Sequence, residues 1–556
     1  MSDAIAGLKP ELLWKYFAAI SRIPRGSKNE AAITKYVLGV ARQLGLEARA
    51  DRVGNVVARK PASPGREGVR TVVLQGHLDM VCEKNKDTTH DFLKDPIVLV
   101  RKGDVMMADG TTLGADNGIA VATNLAIMED KSLEHGPLEF LFTVDEETGL
   151  TGANALGGDV LTGKTLLNLD SEEEGALYVG CSGGRNTTAR WAVATDAAPA
   201  TLAAGLLKVT GLRGGHSGLE IDKNRGNSIK IIARALFALS ELGVRMGSIE
   251  GGDKHNAIPR EAEALVFVPK KAWPVAAELV ARMQATIRAE LGGADPGLSL
   301  TLTEAKGARR RAAFKKAVQM KLLQTLIALP HGVIKMSTDI PGLVETSTNV
   351  AAIKSSARSV DMVLSQRSSV ASEIDEICDT VRVILELGGA KVKQSDGYPG
   401  WKPNLDSEVL KVAKDTYKKL YGKTPEVKAI HAGLECGIIG EKYPGMDMLS
   451  FGPTLEGVHS PDEKIYIGTV EKYWDFLMGI LKTAIATYRE LHGREPEVKS
   501  IHAGLECGII GDKYPGMDMV SLGPTLKDVH SPEERIYIET VPKYWDYLAA
   551  ILKKLS

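Results

Sequence analysis

The stretch LEFLFTVDEETG, residues 138–149, decides the fold class of the first part of the chain. Its opening run, Leu138–Val144, is mostly apolar, aromatic or β-branched, a composition that favours a buried β-strand. Two adjacent carboxylates, Glu146 and Glu147, follow closely. Such neighbours repel each other unless a cation lies between them, although a solvated acidic turn is the alternative interpretation. The stretch therefore predicts a buried strand that ends in charged groups.

The same combination of an apolar run and a polar terminus recurs along the chain. Histidines and carboxylates also occur in four further stretches: GHLD (His77, Asp79), GADNG (Asp116), NLDSEE (Asp170) and VHSP (His459). Four of the five stretches follow or flank such apolar runs. Side chains at strand ends can converge in space, and nitrogen and oxygen ligands of this kind are the ones that zinc-like ions bind. The five stretches together predict a two-metal site.

Spacing within the stretches adds detail and leaves alternatives open. His77 and Asp79 alternate along extended backbone and so point the same way, which lets the carboxylate fix the tautomer of a ligating imidazole. A surface His–Asp pair is the alternative.

Asp116 opens a helix from a glycine-flanked turn, where it can act as an N-cap or bridge two cations. Of Glu146 and Glu147, one can ligate metal while the other serves as a general base.

Evidence for other catalytic chemistries is weaker. Ser217 follows His216, but the glycines around it do not have the spacing of a nucleophile elbow. We also expect no phosphate-binding P-loop. His216, in GLRGGHSG, lies on a glycine-rich turn. It is either a structural histidine of that turn or a ring that reaches toward another domain.

Composition excludes several classes of partner. The chain of 556 residues carries 69 basic and 70 acidic side chains, so it offers no electrostatic case for nucleic acid or an anionic membrane. No apolar run reaches the ~18 residues of a membrane span, and the N-terminal segment predicts an amphipathic helix rather than a secretory signal. Five cysteines without C-x-x-C spacing favour a reducing cytoplasm.

Periodicity predicts more than one domain, as the chain length does. Helical patterns at Glu30–Leu44 and Ile119–Met128 alternate with strand-like runs at Thr71–Leu74 and Leu138–Val144, which indicates an α/β domain with a mainly parallel sheet. Beyond this region the chain changes to longer strands paired with helices, in two similar halves. We therefore expect a discontinuous metal-binding domain, residues 1–184 and 397–485, interrupted by an inserted α+β domain, residues 185–396.

The C-terminal part of the chain is an internal duplication. Residues 425–482 align with residues 496–553 at a constant offset of 71, with 13 differences over 58 positions. Residues 486–556 therefore form a second copy of the C-terminal segment. Its HSP histidine, His530, corresponds to His459.

Either histidine could complete the site, and chain connectivity favours His459. Use of His530 requires looping out the first copy, at a closure cost on the order of 3–4 kcal/mol. Core differences such as Phe451 against Leu522 could shift packing by a similar amount. The unused copy would expose an apolar face, which makes oligomerisation a hypothesis.

Taken in order, the motifs resemble those of one enzyme family. The stretches GHLDMVCEK, LGADNGIA, FTVDEETGLTGA, LNLDSEEEG, GLRGGHSG, HNAIPRE, TSTNVA, HAGLECG and HSPDE span most of the chain before the second copy. They resemble the di-zinc carnosinase/aminoacylase-type metallopeptidases, and within them the aminoacyl-histidine (Xaa-His) or cytosol non-specific dipeptidases. The resemblance implies a zinc-exopeptidase-like catalytic domain with an inserted lid domain.

The resemblance also implies a role for each ligand. Asp116 would bridge the two metals, His77 and Asp170 would complete one of them, and Glu147 and His459 the other.

Further roles follow from the same resemblance. Asp79 would orient the ligating imidazole, and Glu146 would be the general base. His216 would help to stabilise the oxyanion, either within one chain or across a dimer interface, while Asn256 and Arg367 would hold the substrate backbone and its terminal carboxylate.

The implied protein is a cytoplasmic metallo-dipeptidase. It would use two divalent ions, zinc first, with manganese or cobalt as alternatives, and form a homodimer through the lid domain. Two rival hypotheses stay open. One is an N-acyl-amino-acid amidohydrolase of the same fold; the other is a non-catalytic scaffold in which the duplicated tail drives assembly.

Overall fold

The structure is a computed structural model that describes residues 3–305, 312–483, 526–527 and 535–536. His530 and most of the second copy, residues 486–556, lie outside these ranges. No helix within them combines the length and the apolar character needed to cross a membrane.

Helices and strands alternate through the described chain. The helices are α1 (Glu11–Ile20), α2 (Ala31–Gln43), α3 (Ala115–Glu129), α4 (Glu146–Gly149), α5 (Thr151–Ala155), α6 (Ser228–Ser240), α7 (Trp273–Leu291), α8 (Lys316–Ala328), α9 (Ala371–Leu387), α10 (Glu408–Tyr421), α11 (Glu435–Lys442) and α12 (Ile467–Thr483). Short 3-10 turns lie at Asp3–Ile5, Lys270–Ala272 and Gly292–Ala294.

The strands, in chain order, are β1 (Glu47–Ala50), β2 (Val56–Lys60), β3 (Val72–His77), β4 (Leu99–Lys102), β5 (Val105–Ala108), β6 (Leu138–Thr143), β7 (Thr165–Asn168), β8 (Ala176–Cys181), β9 (Gly183–Ala192), β10 (Thr195–Ala197), β11 (Leu202–Thr210), β12 (Gly215–His216), β13 (Arg245–Gly251), β14 (Ala257–Ile258), β15 (Ala262–Pro269), β16 (Ser299–Glu304), β17 (Ala312–Phe314), β18 (Gly332–Met336), β19 (Val344–Ser355), β20 (Ser359–Ser368), β21 (Lys391–Gln394), β22 (Glu426–Ile430), β23 (Asp447–Ser450), β24 (Leu455–Glu456), β25 (Lys464–Tyr466), β26 (Leu526–Lys527) and β27 (Arg535–Ile536).

The chain divides into two compact units. The first comprises the described parts of Met1–Ala176, Asp406–Pro425 and Tyr443–Ser556, and the second those of Leu177–Leu405 and Glu426–Lys442. The domain boundaries expected at residues 185, 397 and 486 remain a prediction.

A mixed sheet forms the centre of the first unit. Its strands lie in the order β1-β2-β6-β3-β7-β23. The pairings of β3 with β6, of β3 with β7 and of β7 with β23 are parallel, whereas β1, β2 and β6 pair antiparallel. Every residue of β3 and β6 is buried, as expected of parallel strands covered on both faces. The α/β sheet predicted from alternating periodicity is thus confirmed.

A smaller sheet in the first unit carries the last histidine stretch. Its order is β24-β25-β5-β4, with antiparallel pairing throughout. The loop between β24 and β25, residues 457–463, contains His459. The N-terminal amphipathic helix is shorter than predicted, because α1 begins only at Glu11, after Pro10.

The second unit is built on a long antiparallel sheet. The order is β16-β11-β15-β13-β19-β20-β9-β21, and β18 pairs with β19. Helices α6, α7, α8 and α9 pack against it around a core that includes Trp191, Leu236 and Phe314. Strands β8 and β22 pair within the same unit. That the unit consists of two similar halves stays a prediction.

Candidate metal centre

The carboxyl end of β3 places the first two predicted residues side by side. His77 is the last residue of the strand and is 1% exposed. Its Nδ1 lies 3.3 Å from Asp79 Oδ1. A carboxylate on the Nδ1 side of the ring leaves Nε2 available to bind a metal ion.

Asp116 lies between two imidazoles. Its Oδ1 is 3.1 Å from His77 Nε2, and its Oδ2 is 3.1 Å from His459 Nε2. Helix α3 begins here from Gly114, whose φ is +68°, and Asp116 and Asn117 themselves have non-helical backbone angles. This irregular first turn aims the carboxylate at both rings, so that each oxygen faces a different histidine.

Two further carboxylates complete two groups of ligands. Asp170 Oδ1 lies 3.4 Å from His77 Nε2, and Glu147 Oε2 lies 3.0 Å from His459 Nε2. The ligand atoms of His77, Asp116 and Asp170 lie within 4.8 Å of one another, as do those of Asp116, Glu147 and His459. The two groups share Asp116, the arrangement of a carboxylate that bridges two cations.

The short helix α4 presents the two adjacent glutamates. The backbone N–H of Glu146 donates to Asp79 Oδ1 at 3.0 Å, and that of Glu147 donates to Asp79 Oδ2 at 3.3 Å. Asp145, which precedes them with a φ of +51°, accepts hydrogen bonds from the hydroxyls of Thr148 and Thr151. The DEETG turn is therefore held by its own aspartate and by Asp79.

The carboxylates of this centre shift the pKa values of the groups around them. Hydrogen bonds with Asp116 and Glu147 raise the pKa of His459 to about 11. Burial opposes the protonation of His77, yet Asp170 and Asp116 raise its pKa well above the usual range. Burial raises the pKa of Asp170 to about 6, although the charge of His77 acts in the opposite direction. Closely packed carboxylates thus favour positive charge on both imidazoles.

The donor set fits divalent metal ions. Oε1 of Glu147 is buried and accepts no hydrogen bond from the described part of the chain. A buried carboxylate oxygen without a partner is costly unless an ion occupies the space that it faces. Imidazole nitrogens together with carboxylate oxygens suit zinc, and also manganese and cobalt. The predicted ligands His77, Asp116, Glu147, Asp170 and His459 are all brought together; their individual roles remain predictions.

In the second unit, His216 lies in the two-residue strand β12, which pairs with β14. Its Nδ1 accepts the backbone N–H groups of Gly218 and Leu219, at 3.3 and 3.1 Å, which leaves Nε2 as the N–H donor of a neutral ring. Burial, together with the charge of Arg367, lowers the pKa of His216 to about 4. The ring is therefore neutral at physiological pH.

Arg367 lies on β20 near His431, a histidine for which the sequence predicted no role. Its Nη1 donates to Tyr398 Oη at 2.9 Å, and the side chain is buried. His431, from HAGLECG, is buried, and its Nε2 lies 2.7 Å from Ser347 Oγ. The charge of Arg367 also acts on this ring. The side chain of Asn256 is exposed, while its carbonyl accepts the N–H of Ser217 at 2.8 Å.

Two stretches have the residue spacing of other catalytic motifs but do not form the structures that those motifs require. GDVLTGKT, residues 158–165, has the spacing of a P-loop, but Thr165 begins the strand β7 rather than a helix. GCSGG, residues 180–184, has the spacing of a nucleophile elbow, but Ser182 joins the strands β8 and β9. Neither stretch makes the strand-to-helix turn on which those motifs depend.

Two buried residues next to the ligands were missed by sequence reasoning. Arg25 and Glu463 are each 2% exposed and bond mainly to backbone atoms near Asp79 and Asp116. Glu463 stands within HSPDE, so its proximity to His459 was visible. Arg25 lies outside every motif quoted from the sequence.

Comparison with known proteins places the chain in a family. The profile described as Peptidase family M20/M25/M40 matches residues 73–483. The cytosol non-specific dipeptidase of Escherichia coli (strain K12) is 42% identical over 479 residues, which cover 86% of this chain and 98% of that protein. The crystal structure of aminoacylhistidine dipeptidase from Vibrio alginolyticus matches with a TM-score of 0.80 and 42% identity, over 86% of this chain and 98% of that one. An aminopeptidase from Bacillus cereus matches with a TM-score of 0.51 and 19% identity, over 86% and 99% of the two chains, and shows the fold alone. The chain belongs to peptidase family M20/M25/M40.

Proposed function

We propose that this chain is a metal-dependent dipeptidase that hydrolyses Xaa-His and other dipeptides by activating water at two divalent ions. The observation that carries the proposal is the Asp116 carboxylate, with one oxygen 3.1 Å from each of two histidine Nε2 atoms. Membership of a peptidase family and the dipeptidase activity named for the Escherichia coli and Vibrio alginolyticus relatives support the same conclusion.

The first metal would be held by His77, Asp116 and Asp170, and the second by Asp116, Glu147 and His459. Zinc is the proposed ion, with manganese or cobalt as substitutes that accept the same donors. When bound, such ions lower the pKa of water toward ~7 and polarise a carbonyl group.

Glu146 is the proposed general base. Its carboxylate would accept a proton from the attacking water and deliver that proton to the leaving amine. The hydrogen bond from its backbone N–H to Asp79 supports this role, because it fixes the start of the helix that bears both glutamates. Asp79 would orient His77 through the Nδ1 side of the ring.

Substrate recognition is assigned to the second unit. His216, as a neutral ring with an Nε2–H donor, would stabilise negative charge that develops on the carbonyl oxygen. Arg367 would pair with the terminal carboxylate of the dipeptide, and Asn256 would bind its backbone. We further propose a homodimer formed through this unit and, following the name of the Escherichia coli relative, a cytoplasmic location.

Substrate competition tests the function. The purified chain, loaded with zinc, is assayed with Ala-His, carnosine and N-acetyl amino acids, before and after removal of metal by a chelator. We expect metal-dependent cleavage of Ala-His well above that of any N-acetyl compound. Preference for the N-acetyl compounds would identify an amidohydrolase instead, and no turnover of any compound would favour a scaffold.

A further inference from the structure

The carboxylate of Glu463 binds backbone N–H groups at the start of helix α3 and just before it. It lies four residues after His459 in the chain. Oε2 accepts the backbone N–H groups of Leu113 and Gly114 at 2.8 and 3.0 Å, and Oε1 accepts those of Ala115 and Asp116 at 2.8 and 3.3 Å. We call these four N–H groups and the carboxylate the Glu463 cradle.

The Glu463 cradle replaces an ordinary helix cap. The first N–H groups of a helix have no partner within the helix, and Gly114 at the N-cap provides no side-chain acceptor. A carboxylate from a loop almost 350 residues further along the chain takes that place. These four N–H donors offset part of the cost of burying the carboxylate, although burial still raises the pKa of Glu463.

Arg25 holds the same turn from its carbonyl side. Nη1 donates to the carbonyl oxygens of Leu78 and Asp79 at 3.0 and 2.8 Å, and Nη2 donates to the carbonyl of Gly114. A Cβ added to Gly114 would lie 2.6 Å from Arg25 Nη2 and 2.7 Å from Met80 Sδ. Gly114 is thus bonded through its N–H to Glu463 and through its C=O to Arg25, with no space for a side chain.

The loop around His459 is equally constrained. Ser460 N–H donates to the Gly457 carbonyl at 3.2 Å, and Glu463 N–H donates to the Ser460 carbonyl at 3.1 Å. These successive turns form a compact loop that contains both His459 and Glu463. We therefore expect a displacement of the Glu463 carboxylate to shift the imidazole of His459 as well.

We infer that Glu463 and Arg25 are positioning residues that fix the mutual placement of three ligand-bearing segments. The segments are the end of β3, the start of α3 and the loop 457–463. Neither residue is assigned a contact with substrate. Their effect is to set Asp116 between His77 and His459 before any ion binds, an inference that rests on the proposed function of those three residues as metal ligands.

Glu463→Gln tests the inference, because it keeps the shape of the side chain, removes the charge and turns an NH₂ group toward backbone N–H donors. The matched control is Glu534→Gln, the same change at the corresponding position of the second copy. Metal affinity is measured by competition with a chromophoric chelator, and the geometry by the visible absorption spectrum of the cobalt-loaded protein.

We expect Glu463→Gln to weaken metal binding by about 10–100-fold, the usual effect of removing a group that orients a ligand. The cobalt spectrum should change, and kcat for Ala-His should fall while KM changes by less than about threefold, since the residues that would hold the substrate are untouched. Glu534→Gln should leave all of these unchanged.

Wild-type metal affinity and an unaltered cobalt spectrum in a folded Glu463→Gln protein would overturn the inference, and so would a loss of affinity in Glu534→Gln. If Glu463→Gln does not fold, Arg25→Lys is used, which keeps the charge and loses the planar fork. Weaker metal binding in that variant supports the inference, and unchanged binding overturns it. A wild-type protein that cleaves no dipeptide, yet loses metal affinity on Glu463→Gln, would refute the proposed function and not the positioning role.

Discussion

The backbone N–H of Glu146 donates a hydrogen bond of 3.0 Å to Asp79 Oδ1, the same oxygen that lies 3.3 Å from His77 Nδ1. One carboxylate oxygen therefore connects a ligating histidine with the helix that bears the proposed general base. Asp79 also receives the hydroxyl of Ser27 on Oδ2, at 2.8 Å.

Asp79→Asn should weaken metal binding and turnover together. Both carboxylate oxygens of Asp79 accept hydrogen bonds, Oδ1 from the N–H of Glu146 and Oδ2 from the N–H of Glu147. An asparagine keeps only one acceptor oxygen, because its NH₂ group is a donor. We expect metal affinity to fall by about 10–100-fold, with a comparable fall in kcat. Ser27→Ala is the control, because it removes only one hydrogen bond to the same carboxylate. Equal effects of the two variants on chelator competition would contradict the orienting role.

Glu146→Gln should separate metal binding from catalysis. The amide has almost the shape of the carboxylate but cannot accept the proton of the attacking water. Turnover of Ala-His should fall by about 10²–10⁴-fold, the range expected for loss of a general base, while metal content stays at the wild-type level. Near-normal activity would refute the assignment.

The duplicated histidines give a paired test. His459→Ala should lose about one equivalent of metal and nearly all activity, because His459 Nε2 lies within 3.1 Å of both Asp116 and Glu147. His530→Ala should retain both. Metal analysis and Ala-His hydrolysis are measured for each variant, and the reverse pattern would show that the second copy provides the ligand.

Acid should destabilise the second unit through His431. Burial, with a further contribution from Arg367, lowers the pKa of this ring from 6.5 to about 3. The charge of His216 acts in the same direction, and that of Asp222 opposes it. Between pH 6.5 and 3 the unfolded chain binds the proton and the folded chain does not. The stability that the neutral ring provides is thus complete above the unfolded pKa and is lost as the pH falls toward the folded pKa.

His431→Gln should flatten this pH dependence. A change of one pKa unit corresponds to about 1.4 kcal/mol, so the difference should reach a few kcal/mol in this window. The free energy of unfolding in urea is compared for the variant and the wild type at pH 7 and pH 4.5, without metal. Parallel losses of stability in the two proteins would contradict the prediction.

How much could be predicted from the sequence depends on the kind of interaction. The alternation of apolar runs located β3 and β6, and polar residues at their ends located His77 and Glu147, because strand period and strand-end chemistry are local properties. The positions of Arg25 and Glu463 relative to the site could not be predicted in this way. Their partners are backbone N–H and C=O groups far away in the chain, and nearly every residue type carries the same two groups.

Because His459 and Glu463 lie within five consecutive residues, any duplication of this short segment copies the proposed ligand and its positioning residue together. The second copy carries the same pair, as His530 and Glu534 in HSPEE. We therefore expect the copy that does not serve the site to tolerate substitution of both residues. Divergent descendants of this gene should lose the pair from one copy only, and the copy that keeps it is the one that serves the reaction centre.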